Sequence, residues 1–64
     1  MKVKNRIDFT NGFEYREIIY KNYHRLDQLR NIYSEMGFRT WLNIWDLSKN
    51  TWILTVEFGL RYAR

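Results

Sequence analysis

Residues 10–23 read TNGFEYREIIYKNY, and this stretch decides between two folds. In the first, residues 10–12 form a three-residue hairpin loop, with Gly12 in the left-handed conformation that such loops require. The hairpin would pair apolar residues on one face of a sheet. The expected pairs are Phe9 opposite Phe13, Ile7 opposite Tyr15, and Val3 opposite Ile19.

The alternative is one long helix over residues 12–36. Asn11 would be its N-cap, with Glu14 three residues later as in a capping box. Apolar residues recur at spacings of three and four from Tyr15 onward, which favours this interpretation. Against it, Phe13 and Tyr20 fall off the stripe, and a glycine weakens a first helical turn. We therefore favour the hairpin.

Upstream of the loop, residues 3–9 alternate between apolar and charged side chains, which predicts a half-buried strand. Lysines on the outer strand of a sheet discourage pairing with another chain, so the charged side favours an edge position. The apolar side carries Val3, Ile7 and Phe9, and the basic side carries Lys2, Lys4 and Arg6.

Downstream, the sequence predicts a helix over residues 23–36, with Asn22 as its N-cap and Gly37 as the residue that ends it. One face of this helix is apolar and is expected to pack on the sheet. That face comprises Leu26, Leu29, Ile32, Tyr33 and Met36.

Two further strands are predicted over residues 38–46 and 51–62. The last strand alternates clearly, and its core side carries Trp52, Leu54, Val56, Phe58, Leu60 and Tyr62.

The preceding strand is apolar on both sides, so the length of the loop around residues 48–50 decides which side faces the core. An odd loop would pair Ile44 with Leu54 and Leu42 with Val56, and leave Trp41, Trp45 and Ile53 on the reverse face. An even loop would exchange the two sides. We favour the odd loop.

The expected fold is therefore α+β, a single domain over residues 1–64 with the order ββαββ: an antiparallel sheet with one helix packed on one face. The alternative is βαββ with a helix over 12–36. A chain of 64 residues has a small core, and with no cysteine and one histidine it cannot be stabilised by disulfides or a structural zinc. Twelve aromatic residues supply the buried area instead.

The sequence does not predict an enzyme, a cofactor or a metal site. His24 is the only imidazole, and its neighbour Asp27 is expected to form a solvated pair with it. No phosphate-binding, dinucleotide-binding or metalloprotease motif is present. No apolar run approaches the roughly 20 residues of a membrane span. The absence of cysteine suits a reducing compartment, so the expected location is cytoplasmic.

A basic and aromatic sheet face is the best candidate site. The net charge of +4 mildly favours polyanionic partners, although many basic proteins bind no nucleic acid. Aromatic rings can stack on bases while neighbouring cations contact phosphates, so the favoured hypothesis is nucleic-acid binding, to DNA or RNA. The residues expected to take part are Trp41, Trp45, Ile53, Arg39, Asn43, Arg61, Lys2, Lys4 and Arg6. Arg16 could extend the positive field if the hairpin forms.

The same residues could instead bind a protein. An uncovered patch carrying tryptophan and arginine has the composition of an interaction hot spot. Such a patch could pair with itself in a homodimer, or it could bind and block a larger protein, as a small inhibitor or regulator does. The two tryptophans exceed what one helix can cover on one sheet face, and this surplus is the main functional indication.

Overall fold

The computed structural model describes residues 1–60, and these form one four-stranded antiparallel sheet with a single helix. In chain order the elements are β1 (Lys2–Asp8), β2 (Phe13–Tyr20), α1 (Tyr23–Glu35), β3 (Arg39–Asp46) and β4 (Thr51–Leu60). The last strand inserts between the second and third, so the order across the sheet is β1-β2-β4-β3. The predicted ββαββ fold is confirmed, and the long helix over 12–36 is wrong.

Both ends of α1 lie where the sequence predicts them. The side-chain oxygen of Asn22 accepts a hydrogen bond from the backbone N–H of Arg25 at 3.1 Å, which satisfies one of the free donors of the first turn. Gly37 has a φ of +95°, a conformation that L side chains rarely adopt, and it ends the helix. The two ends of the helix are therefore determined by residues next to them, the capping side chain of Asn22 and the positive φ of Gly37.

The apolar face of α1 is shorter than predicted. Leu26 is fully buried, and Leu29 and Tyr33 pack against the core. Ile32 and Met36, in contrast, are 54% and 63% exposed. Both residues line an open cavity near the end of the helix, where the sheet does not reach them.

The predicted pairing of β1 with β2 is wrong by one residue. Val3 lies opposite Ile18 and Ile7 lies opposite Glu14. The loop has four residues, 9–12, because Asp8 closes the turn: its carbonyl accepts from the N–H of Gly12 at 2.7 Å, and its side chain accepts from the N–H of Thr10 at 3.0 Å. Gly12 still takes the predicted positive φ, at 75°.

A slip of one residue exchanges the two faces of a strand. Ile18, and not Ile19, is therefore the core residue of β2. Tyr15 and Ile19 lie on the opposite side of the sheet, and Phe9 is 75% exposed in the loop.

The pairing of β3 with β4 differs from the prediction by two residues, but the predicted faces are correct. Ile44 lies opposite Trp52 and Leu42 lies opposite Leu54. The loop, residues 47–50, has an even length. The register shifts between Ile44 and Asp46, so Trp45 is one extra residue in β3. This extra residue offsets the even length of the loop, so Leu42 and Ile44 face the same side of the sheet as they would with an odd loop.

The core lies between α1 and one face of the sheet. Its buried centre consists of Ile18, Leu26, Leu54 and Val56. Partly buried residues surround this centre and complete the layer: Tyr20, Leu29, Tyr33, Phe38, Leu42, Trp52 and Phe58. Leu60, which the sequence places on the core side of β4, is instead 61% exposed, because the register between β2 and β4 shifts between Glu14 and Tyr15. Tyr62 lies outside the described residues.

Candidate interaction surface

The side of the sheet away from α1 is not covered by any described element. We call it the open face. Strand pairing arranges its residues in three rows that run from β1 across β2 and β4 to β3. The rows are Lys2–Ile19–Ile53–Asn43, Lys4–Glu17–Thr55–Trp41 and Arg6–Tyr15–Glu57–Arg39. The open face therefore has a cationic edge, a mixed centre, and a second edge that carries a tryptophan.

The cationic edge is partly neutralised by Glu17. Its carboxylate lies 3.7 Å from Nζ of Lys4 and 3.3 Å from Nε of Arg6. The guanidinium of Arg6 also lies 4.6 Å from the ring centre of Tyr15, in cation–π contact. Glu17 itself is only 16% exposed at its side chain, so it is held among its neighbours. On the far side of the face, Arg39 lies opposite Glu57.

Two large aromatic side chains near the other edge are accessible. Trp41 is 42% exposed and Trp45 is 57% exposed, whereas the core-facing Trp52 is half-buried. Trp52 packs edge-on against Tyr23, with ring centres 4.9 Å apart. The two exposed tryptophans thus contribute less to the core than the third.

The predicted site residues are only partly brought together. The open face carries Lys2, Lys4, Arg6, Arg39, Trp41, Asn43 and Ile53. The first three lie on the edge strand β1, Arg39, Trp41 and Asn43 lie on the opposite edge strand β3, and Ile53 lies on β4 between them. Ile53 is 8% exposed, because it lies on β4 between β2 and β3, so it supports the surface from within. Trp45 lies at the register shift at the end of β3. Arg61 lies outside the described residues.

Arg16 does not join the cationic edge. The one-residue slip places it on the helix side of the sheet, where its Nη1 donates to the Tyr33 hydroxyl at 3.0 Å. The same slip brings Tyr15 and Glu17 onto the open face, and sequence reasoning missed both. Asp8 was the available signal, since an aspartate can start a turn by accepting a backbone N–H two residues later.

One of the two arginines of α1 is paired within the helix. Arg30 donates to Asp27 at 2.6 Å. The sequence predicts that Asp27 pairs with His24, but its partner is Arg30. Arg25 and Lys21 are exposed at the start of the helix.

The loop beside Trp45 is ordered by Asp46. The hydroxyl of Ser48 donates to Oδ1 of Asp46 at 2.7 Å, and the backbone N–H groups of Ser48 and Lys49 donate to the same oxygen. These hydrogen bonds, that of the Ser48 hydroxyl foremost, lower the pKa of Asp46 below its usual 3.8. Asn50 completes the turn with a φ of 52°.

Within residues 1–60 there is no group of three or more histidine, cysteine or acidic side chains that could hold a metal ion. None of the helical residues in this range forms a segment long and apolar enough to cross a membrane. Comparison with known proteins gave no match to a family model, a curated protein or a solved structure.

Proposed function

We propose that this chain is a small non-enzymatic binding protein whose open face recognises another protein. One observation carries the proposal: Trp41 lies 42% exposed in a row with Lys4, Glu17 and Thr55, on a sheet face that no described element covers. Tryptophan, tyrosine and arginine dominate the binding energy of protein interfaces, and all three types occur on this face.

The distribution of charge favours a protein over a nucleic acid. Glu17 and Glu57 lie in the two central strands, where a phosphate backbone crossing the face would meet them. A surface of mixed, mutually paired charges around an aromatic residue is complementary to a protein surface.

The rigidity of the sheet would contribute to such binding. The residues of the open face lie on four hydrogen-bonded strands, so little conformational freedom is lost when a partner docks. A protein of this size can act by covering a functional surface of a larger protein, as an inhibitor or regulator. A chain without cysteine is compatible with a reducing compartment, and the proposal places it in the cytoplasm.

Site-specific photo-crosslinking in the native host tests this proposal. A photoreactive phenylalanine analogue replaces Asn43, an exposed residue of the open face, and in a matched control it replaces Asn31, an exposed residue of α1. We expect a discrete protein adduct from position 43 that is lost when Trp41→Ala is added, and none from position 31. An adduct of twice the chain mass would identify a homodimer as the partner. Adducts from position 31 alone would overturn the proposal.

Nucleic acid is the second candidate, favoured by one specific observation. Lys2, Lys4 and Arg6 form a continuous row of cations along β1. Phosphate binding makes log affinity fall with log salt by about 0.9 per duplex phosphate neutralised. Fluorescence anisotropy with single- and double-stranded probes should then show binding near ~50 mM salt that weakens along this slope. Absence of binding at that salt concentration excludes this candidate, and a nuclease-sensitive adduct at position 43 supports it.

A further inference from the structure

A cavity of about 460 Å³ opens between the second half of α1 and the sheet, on the side opposite the open face. Its walls are mostly apolar, and three of the lining residues are aromatic. The apolar part is formed by Leu29, Ile32 and Tyr33 of the helix, by Met36 at its C-cap, and by Phe38 and Phe58. The three aromatic rings contact one another edge-on, with Phe38 and Phe58 only 5.1 Å apart, so this part of the wall is rigid. The volume lies in the range typical of small-molecule sites.

A guanidinium group stands in this apolar wall. Arg16 is half-buried, and it lies 5.0 Å from the ring centre of Phe58. Its Nε donates to the side-chain oxygen of Asn5 at 3.2 Å, and its Nη1 donates to the Tyr33 hydroxyl at 3.0 Å. Within residues 1–60, no ion pair is formed by this arginine, and both of its hydrogen-bond acceptors in that range are neutral.

These contacts hold the guanidinium in place without using all of its donors. An arginine has five N–H groups, and residues 1–60 engage two of them, one on Nε and one on Nη1. The remaining N–H groups on Nη1 and Nη2 form the fork that binds a carboxylate through two parallel hydrogen bonds. A fixed cation beside an apolar cavity thus matches a ligand with one anionic end.

We infer that this cavity binds a small monocarboxylate with an aryl or alkyl body, the body against the aromatic wall and the carboxylate on Arg16. A single charge fits better than a phosphate dianion, because among residues 1–60 the cavity is lined by one guanidinium and also by the carboxylate of Glu14. The nearby helix end adds little repulsion. The carbonyls of Ile32, Tyr33 and Ser34 accept N–H groups from Met36, Gly37 and Phe38, and are therefore capped.

The test is an NMR titration of the full chain with hydrocinnamate, and with hydrocinnamamide as the neutral ligand of the same shape. We expect saturable shift changes at the lining residues, with a dissociation constant of roughly 0.1–1 mM for a ligand of this size. The carboxylate should bind about tenfold to a hundredfold more tightly than the amide, because a hydrogen bond to a charged group is stronger than one to a neutral group.

Three variants complete the experiment. Arg16→Gln should abolish the preference for the carboxylate. Ile32→Glu places an acid at an exposed position that lines the cavity, and it should weaken hydrocinnamate binding at least tenfold. Asn31→Glu is the control: it adds the same charge on the neighbouring exposed residue, which does not line the cavity, and it should leave binding unchanged.

The inference is overturned by any of three results. They are the absence of a saturable change with hydrocinnamate at concentrations on the order of 10 mM, equal affinities for the acid and the amide, and equal losses in Ile32→Glu and Asn31→Glu. If Arg16→Gln does not fold, the comparison of the two ligands and of the two helix variants still decides the question. None of these outcomes depends on the partner of the open face.

Discussion

Glu17 accepts the Nε–H of Arg6 across the β1–β2 pair, with Oε2 and Nε 3.3 Å apart. The other oxygen of the same carboxylate lies near Lys4. One acid on the second strand thus compensates two of the three cations along the edge of the open face. This arrangement explains how a basic chain can present a sheet edge whose positive charge is partly neutralised.

Replacing Glu17 by Gln should uncover the cationic edge. Because Arg6 and Lys4 are about half exposed, the pairs contribute little to folding, and the free energy of unfolding should fall by less than about 1 kcal/mol. The variant should nevertheless elute from heparin at higher salt than the wild type. Glu35→Gln, on the exposed end of the helix, carries the same change in net charge as a control. Equal elution of the two variants would contradict the role assigned to Glu17.

Replacing Leu54 by Ala should cause a large loss of stability. Leu54 is fully buried and lies opposite Ile18 on one side and Leu42 on the other. Truncating a buried leucine costs about 2–5 kcal/mol, which is comparable to the whole stability of a domain of this size. Urea denaturation followed by circular dichroism measures the loss. Leu47→Ala, at a residue that is 78% exposed, should change the unfolding free energy by less than about 0.5 kcal/mol. Similar losses in both variants would show that the core is placed wrongly.

Removing the cap of α1 should destabilise the domain moderately. Asn22→Ala deletes the oxygen that accepts the N–H of Arg25, and a loss of about 1 kcal/mol is expected. Asn22→Asp keeps the acceptor and should retain stability. Asn31→Ala, in the exposed middle of the helix, serves as the matched control. The assignment of the cap fails if Asn22→Ala is no less stable than Asn31→Ala in thermal unfolding.

The lowered pKa of Asp46 predicts an acid-sensitive contribution to stability. Because hydrogen bonds from Ser48 and Lys49 favour the charged carboxylate in the folded chain, this contribution is complete above the usual value of 3.8. It is lost as the pH falls through the lower, folded value. Ser48→Ala removes the hydroxyl donor, so the pKa of Asp46 should rise toward 3.8 in an NMR titration of its carboxyl carbon. An unchanged pKa in Ser48→Ala would exclude the hydroxyl as the cause.

The elements of this fold can be predicted from the sequence because their signals are local. Asn22 and Gly37 delimit the helix through their own conformational preferences, and the alternation around Leu54 identifies the core side of β4. Even the assignment of Trp41 to the reverse face is correct, although the loop length behind it is not.

The registers could not be predicted, because side chains in the loops decide them. Asp8 lengthens the first turn by one residue through hydrogen bonds to Thr10 and Gly12. That single residue moves Arg16 from the basic face into the cavity wall. In the second hairpin, Asn50 takes a positive φ and Trp45 adds a residue to β3. Neither feature can be predicted from the alternation of apolar and polar residues. The composition of the open face follows from these loops.

In the proposed function, Trp41 serves binding and not folding, and we expect the same of Trp45. The most direct measurement is the free energy of unfolding, by urea denaturation, of Trp41→Ala and Trp45→Ala beside Trp52→Ala. Trp52 packs on the core side, and its removal should cost about 3 kcal/mol. For each exposed tryptophan we expect a loss of no more than about 1 kcal/mol, as for surface substitutions. A loss at Trp41 or Trp45 as large as that at Trp52 would contradict a role in binding and show that the side chain serves folding.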